Sequence, residues 1–126
     1  MTKLKRLSLD QELHKKLDAG DKTHDIRTAF PMYEGIREGD VIGFGTREWI
    51  TRVIVEGITK VDVSQAKNFR DAFEMVLRAI DPDIEVAASK VIPGINIEKG
   101  LEMAKQMFDY DDCKKFGMLV FETKKV

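Results

Sequence analysis

An α+β domain, with a small mixed β-barrel flanked by helices, is the fold class this sequence predicts. Three observations carry it. The stretch from Trp49 to Val63 is β-rich and alternates apolar residues on two parities. At Asn68 the period changes: Phe69, Ala72, Phe73, Val76, Leu77 and Ile80 recur at the spacing of one helix face. Shorter strand-like segments lie on both sides of the central helices, joined by short connections. At 126 residues the chain reads as a single domain, 1–126.

The elements follow in chain order. Ser8 and Gln11 have the spacing of a capping box, Leu9, Leu13 and Leu17 continue at helical intervals, and Gly20 sits where a C′ stop belongs. A short strand is expected from His24 to Ala29, ended by Pro31. Gly39-Asp40 reads as a turn, and Val41, Ile42 and Phe44 as a strand buried on both faces. In the long β stretch, Trp49, Val53, Val55, Val61 and Val63 share one parity, and Ile50, Ile54 and Ile58 the other. Gly57 marks a bend or bulge between them.

Asn68 is the expected N-cap of the central helix, with Asp71 in its first turn and Pro82 beyond its end. A mixed stretch leads to a turn at Pro93-Gly94. Asn96 then caps a helix carrying Ile97, Leu101, Ala104 and Phe108. Gly100 inside that helix costs ~1 kcal/mol relative to alanine, so close packing against another backbone is the expected reason for it. A short acidic helix over Asp111–Lys115 precedes a last strand of Met118, Leu119, Val120 and Phe121.

Composition narrows the class of protein. Hydrophobic residues make up 43% of the chain and charged residues 34%, which excludes disordered and collagen-like classes. Cys113 is the single cysteine, so no internal disulfide forms and a cytoplasmic location is the default. No signal-peptide core follows Met1, and no apolar run approaches the ~18–20 residues of a membrane span, so no membrane partner is expected. Net charge is -1, which gives no bulk attraction to nucleic acid. Lys3, Lys5 and Arg6 would join Lys124 and Lys125 in a small basic patch if the termini meet. His14 and His24 lack metal-pair spacing, and Asp109-x-Asp111-Asp112 lacks the glycine and terminal glutamate of a calcium loop. Helix capping accounts for those acids; neither a metal nor a cofactor is expected.

The segment Gly20-Asp21-Lys22-Thr23-His24-Asp25-Ile26-Arg27 gathers polar groups at a helix-to-strand junction, where side chains converge. Lys22 becomes a general base if burial or a nearby cation, Arg27 or Arg70, brings its pKa toward neutrality. Odd spacing sends Lys22 and Asp25 to opposite strand faces, so they converge only if Lys22 lies in the turn before the strand. Asp25 is a base, a water-orienting group or a partner of Lys22; the plainer alternative is an ion pair with Arg27, which shares its parity. Thr23 donates to a phosphate or carbonyl, or bonds the local turn. Arg27 offers an anion fork, or an inward ion pair with Glu48 or Asp40. Tyr33, in a loop after Pro31, is the stacking candidate, whereas Trp49 opens an apolar strand and reads as core. The candidate catalytic residues are thus Lys22, Thr23 and Asp25, and the candidate ligand-binding residues Lys22, Arg27, Tyr33 and Arg70.

With these elements placed, the chain resembles the ASCH domain of the PUA-like superfamily. The helix ending in Gly20 with Lys22-Thr23 and Ile26-Arg27 resembles that family's opening signature, and Gly39-Asp40-Val41-Ile42 its second block. Asn68-Phe69-Arg70 resembles the third; Pro93-Gly94, Glu98, Gly100, Phe108-Asp109-Tyr110 and Phe116-Gly117-Met118-Leu119 resemble the closing pattern. The resemblance implies a PUA-like barrel with a cleft at the Lys22 segment, and RNA or a small nucleoside as ligand. Some members are amidohydrolases on acetylated cytidine that use a lysine, a threonine and a glutamate; others are ribonucleases. Lys22 falls on that lysine, Asp25 stands at the threonine position, and no glutamate is carried over. The expected function is an RNA- or modified-nucleoside-binding module with a Lys/Arg-lined cleft. A metal-independent amidohydrolase, or a ribonuclease using Lys22, His24 and Tyr33, is the alternative, and a protein-binding adaptor a third.

Overall fold

A computed structural model describes residues 5–8, 15–17, 19–45 and 50–126. The expectations placed on Met1, Lys3, Leu9, Gln11, Leu13, His14, Glu48 and Trp49 lie outside these residues. The chain forms an α+β fold: a curled half-barrel sheet with helices against it. Its strands are β1 (Lys5–Ser8), β2 (His24–Thr28), β3 (Val41–Gly45), β4 (Ile50–Val61) and β5 (Met118–Lys125). Its helices are α1 (Phe69–Ile80), α2 (Ile84–Val91), α3 (Ile97–Met107) and α4 (Tyr110–Phe116), with a 3₁₀ turn at Pro31–Tyr33.

The sheet order is β1-β3-β4-β5-β2. β1 runs parallel to β3 and every other pairing is antiparallel, so the sheet is mixed as expected. Among the described residues β1 and β2 are its edges, and no ladder between them closes a barrel. β1 was missed because the capping signal at Ser8 drew that segment into the helix that follows. That helix is seen at residues 15–17, and Gly20 ends it with φ +87°, the left-handed geometry of a C′ stop.

Gly57 is where β4 changes its pairing. Val55 faces Thr123, then Gly57 faces Glu122, so one residue of β4 is skipped and the ladder bulges. A skipped residue reverses which parity points inward. Val53 and Val55 therefore pack with Phe44 and Phe121, and beyond the bulge it is Ile58, of the other parity, that joins them. Val61 and Val63 pass to the helix-covered core instead. The expected grouping of all the odd-numbered residues on one face is corrected on that account.

Two cores result. On one side of the sheet, Ile26, Met118 and Val120 meet Phe73, Val76, Leu77, Ala87, Val91 and Leu101 of the helices. On the other, the concave side, Leu7, Leu17, Ile36, Ile42, Phe44, Val53, Val55 and Phe121 pack together. Val41, expected to be buried, is 43% exposed beside its cross-strand partner Ile54.

The helices start where short polar side chains accept from exposed backbone N–H groups. Asn68 accepts from Asp71 N and Asn96 from Lys99 N, as expected, and Asp109 from Asp112 N. The stretch read as mixed is α2, capped by Asp83 and burying Ala87, Ala88 and Val91. Its face is mostly alanine, which gives a weak apolar signal, and Pro82 read only as the end of the preceding helix. Gly100 faces the side chain of Phe73, whose Cζ would lie 3.8 Å from an added Cβ, so its neighbour is a ring and not a backbone. Among the described residues no helix is long and apolar enough to cross a membrane.

Candidate functional site

Lys22 lies in the three-residue link, Asp21 to Thr23, between Gly20 and β2, before the strand geometry begins. This frees its side chain from strand alternation, and it turns inward to 4% exposure. Its Nζ donates to the carbonyl of His24 and, at 2.9 Å, to that of Val91 at the end of α2. Asp25 Oδ1 is 3.7 Å away, so the conditional convergence of the two is met.

Asp25 and Arg27 share the concave face of β2, opposite Phe121 and Leu119. Arg27 Nε donates to Asp25 Oδ2 at 2.6 Å, and its guanidinium lies over the rings of Phe44 and Tyr33. Lys22, Asp25 and Arg27 thus form a cation–anion–cation line along the inner wall of the half-barrel. The ion pair drawn from parity is the one formed; Asp40 is instead held in its own turn, accepting from Arg37 N. Burial pushes the Lys22 ammonium below its ordinary pKa; Asp25 opposes this and Arg27 adds to it. Burial also disfavours the Arg27 charge, but Asp25 outweighs it and the guanidinium is held above its ordinary value.

Beside this line opens a cleft of about 460 Å³, lined by Lys22, Thr23 and His24 from the link and β2, Lys90 from α2, Glu56 from β4, and Glu122 to Lys125 from β5. Among the described residues its walls carry four lysines against two glutamates. Thr23 is held on both sides: its N–H donates to the Lys90 carbonyl at 3.0 Å, and its carbonyl accepts from Thr123 N at 2.8 Å and Thr123 Oγ1 at 3.3 Å. Its hydroxyl is 2.9 Å from His24 Nδ1. His24 stands directly across the ladder from Glu122. Burial lowers the His24 pKa; Glu122 raises it, and Lys90 and Lys22 lower it further.

Of the residues expected to act, the structure brings Lys22, Thr23, Asp25 and Arg27 together, though not around one hollow. Lys22 and Thr23 reach the cleft. Asp25 and Arg27 lie behind it, and Tyr33 packs against Arg27 on that same side. Among the described residues the cleft is lined by no phenylalanine, tyrosine or tryptophan, so stacking by Tyr33 within it is corrected. Arg70 is corrected as well: on the first turn of α1 it binds Glu98 at 2.6 Å and Glu74 at 3.1 Å, and it is not among the cleft residues. Glu56, Lys90 and Glu122 escaped the sequence reading, because only the β4–β5 register and the end of α2 bring them beside Thr23.

The fold itself has counterparts. It is similar over 98% of this chain to the crystal structure of the hypothetical protein PH0355, covering 100% of that chain at 25% identity with a TM-score of 0.73. It is also similar to the solution NMR structure of protein PF0455 from Pyrococcus furiosus, over 98% of both chains at 22% identity with a TM-score of 0.67. No family model and no curated protein matches the chain.

Proposed function

We propose that the cleft beside Lys22 binds RNA or a modified nucleoside, in a module of ASCH type from the PUA-like superfamily. The observation that supports this most is the charge of its walls, four lysines to two glutamates, on a chain whose net charge is only -1. Cations concentrated in one concavity favour an anionic ligand locally without attracting nucleic acid over the whole surface. With no phenylalanine, tyrosine or tryptophan on the cleft among the described residues, recognition rests on phosphate oxygens and on hydrogen bonds to Thr23, His24 and Glu122. A short single strand or a nucleotide fits that chemistry better than long duplex RNA.

Titration with a short single-stranded RNA and with cytidine monophosphate, at several salt concentrations, tests the reading. Neutralising three phosphates gives a log–log salt slope of about -2 for a single strand. Replacing Lys124 and Lys125 together by glutamate is expected to weaken binding at least ~10-fold, since each lost 1.4 kcal/mol is a factor of ten. A flat salt slope with unchanged affinity in the double variant removes the reading.

A second reading, metal-independent hydrolysis of acetylated cytidine, has one observation in its favour: burial pushes the Lys22 ammonium toward the range of a usable base. Against it, Nζ already donates to two carbonyls, and Asp25, at the threonine position of the resemblance, is held by Arg27. Chromatography of acetylated cytidine after incubation decides it; equal turnover by wild type and Lys22→Ala removes this alternative.

A further inference from the structure

We infer that the cleft selects guanine: the Glu122 carboxylate accepts from the N1–H and N2–H groups of the base, His24 donates to its O6, and the cleft lysines take the phosphate. The inference rests on the cleft being a nucleotide site, as proposed above, and adds which base that site prefers.

Glu122 is the residue that phosphate binding leaves unexplained. A carboxylate on the wall of an anion site repels the ligand unless it has a task of its own. The lysines beside it are not spent on neutralising it. Lys22 is paired with Asp25 at 3.7 Å and Lys90 with Asp81 at 3.5 Å, and among the described residues no hydrogen bond or ion pair holds Glu122. Both of its oxygens are therefore open to a ligand, and an ionised carboxylate accepts two parallel N–H donors at once.

The β4 bulge gives that carboxylate its seat. Glu122 stands opposite Gly57, and a Cβ at position 57 would lie 3.3 Å from Glu122 Oε2, closer than such atoms ordinarily approach. Any side chain there would push the carboxylate aside. On the other flank of Glu122, across the β5–β2 ladder, stands His24. Directly opposed residues bring their Cβ atoms to roughly 4.5–5.5 Å, but the carboxylate lies over β4 and leaves the imidazole untouched. A pair of acceptors and a ring nitrogen thus border the cleft with a gap between them.

Thr23 sets the polarity of that ring. Its hydroxyl is 2.9 Å from His24 Nδ1; when it donates there, the imidazole proton sits on Nε2, which has no hydrogen-bond partner among the described residues. Thr23 itself is fixed, its N–H bonded to the Lys90 carbonyl and its carbonyl to Thr123. The carbonyl of His24 is held from behind by Lys22 Nζ, which also grips the end of α2. Such supporting contacts keep a recognition geometry in place.

Two acceptors beside a donor complement one base among the four. Guanine presents two adjacent N–H donors, N1 and N2, next to the O6 carbonyl on its Watson–Crick edge. Adenine and cytosine each present one amine beside a ring nitrogen that accepts, and the single N–H of uracil lies between two carbonyls. With any of these three, a carboxylate oxygen of Glu122 would face a lone pair. The phosphate has its own partners: Lys124 shares the strand face of Glu122, roughly 7 Å further along β5, and Lys90 flanks the cleft from α2.

Calorimetric titration of the whole chain with GMP, IMP, AMP, CMP and UMP at low salt tests the inference. GMP is expected to bind at least ~10-fold more tightly than CMP, the discrimination of one bidentate contact. IMP, which keeps O6 and N1–H but lacks the N2 amine, is expected to fall between them. Glu122→Gln is expected to bring the GMP-to-CMP affinity ratio down toward one, because its amide turns a donor toward the donors of guanine. Gly57→Ala keeps Glu122 but displaces its carboxylate, and is expected to lower the same ratio; melting profiles confirm that both variants are folded. A short single strand with one guanosine, compared with the same strand carrying cytidine there, extends the test to RNA, and a preference in either form supports the inference. Equal affinities for the five nucleotides, or a guanine preference that survives Glu122→Gln, overturn it. Equal but salt-dependent affinities remove the base preference alone and leave the cleft as a nucleotide site; binding of no nucleotide and no RNA removes both.

Discussion

Two arginine–carboxylate pairs in this molecule have the same contact distance and opposite surroundings. Arg27 Nε meets Asp25 Oδ2 at 2.6 Å with side chains 14% and 8% exposed. Arg70 Nη2 meets Glu98 Oε1 at 2.6 Å with side chains 47% and 70% exposed. Distance alone would rank them equal. Solvent separates them: water screens and replaces the outer pair, whereas the inner carboxylate has the buried Lys22 as a second cation and no bulk water to substitute for either. The largest expected effect follows. Asp25→Ala leaves two cations facing each other on an apolar wall, and chemical denaturation is expected to show a loss of about 3 kcal/mol, near the value for breaking a buried pair from one side. A loss no greater than that of an ordinary surface substitution would erase the distinction between the two regions.

The comparison sharpens with pH. The folded pKa of Lys22 lies below its unfolded value of ~10.4, with burial as the chief cause. Between those two values the unfolded chain binds more protons than the folded one, so rising pH favours folding across that window. Below the window the penalty of keeping a charged Lys22 buried is fully present. Lys22→Met removes the titration. The stability of wild type relative to this variant is therefore expected to climb as pH rises toward the unfolded value of ~10.4, at no more than about 1.4 kcal/mol per pH unit. Parallel denaturation series on the two proteins measure it. A constant difference would mean that the inner line behaves like the outer pair.

How much of this was legible beforehand depends on the range of the interactions involved. The capped helices at Asn68 and Asn96 and the bulge at Gly57 are local, and a few neighbouring residues specify each. So is the Asp25–Arg27 pair, two residues apart on one strand face. β1 and α2 were missed for local reasons too, a capping signal at Ser8 that pointed to the following helix and an alanine face too plain to stand out. The barrel was expected from strands lying on both sides of the central helices with short connections, an order that carries no information about which edges meet. The cleft was beyond reach, because His24 stands opposite Glu122 across nearly a hundred residues of sequence, and the β4 bulge sets which residue of β4 stands beside Glu122. Arg70 misled for the reverse reason. Its type suited an anion site, but its partners Glu74 and Glu98 lie on its own helix and on the helix beside it.

The smallest expected effect belongs to that outer pair. Arg70 is bonded to two carboxylates, and Glu98 holds its guanidinium above the ordinary pKa while Arg70 holds Glu98 below the ordinary carboxylate value. Both shifts arise between groups that keep their water, so the attraction is screened within a Debye length of ~8–10 Å at ordinary ionic strength. Arg70→Ala is expected to leave the denaturation midpoint close to wild type at low salt and indistinguishable from it at high salt. Asp25→Ala should keep most of its effect under both conditions, since ions do not reach the inner wall. The salt response of the two variants, measured side by side, separates the regions more cleanly than either stability alone. If the Asp25→Ala loss faded with salt as quickly as the Arg70→Ala loss, the concave wall would have to be open to solvent, and burial could no longer explain the lowered pKa of Lys22.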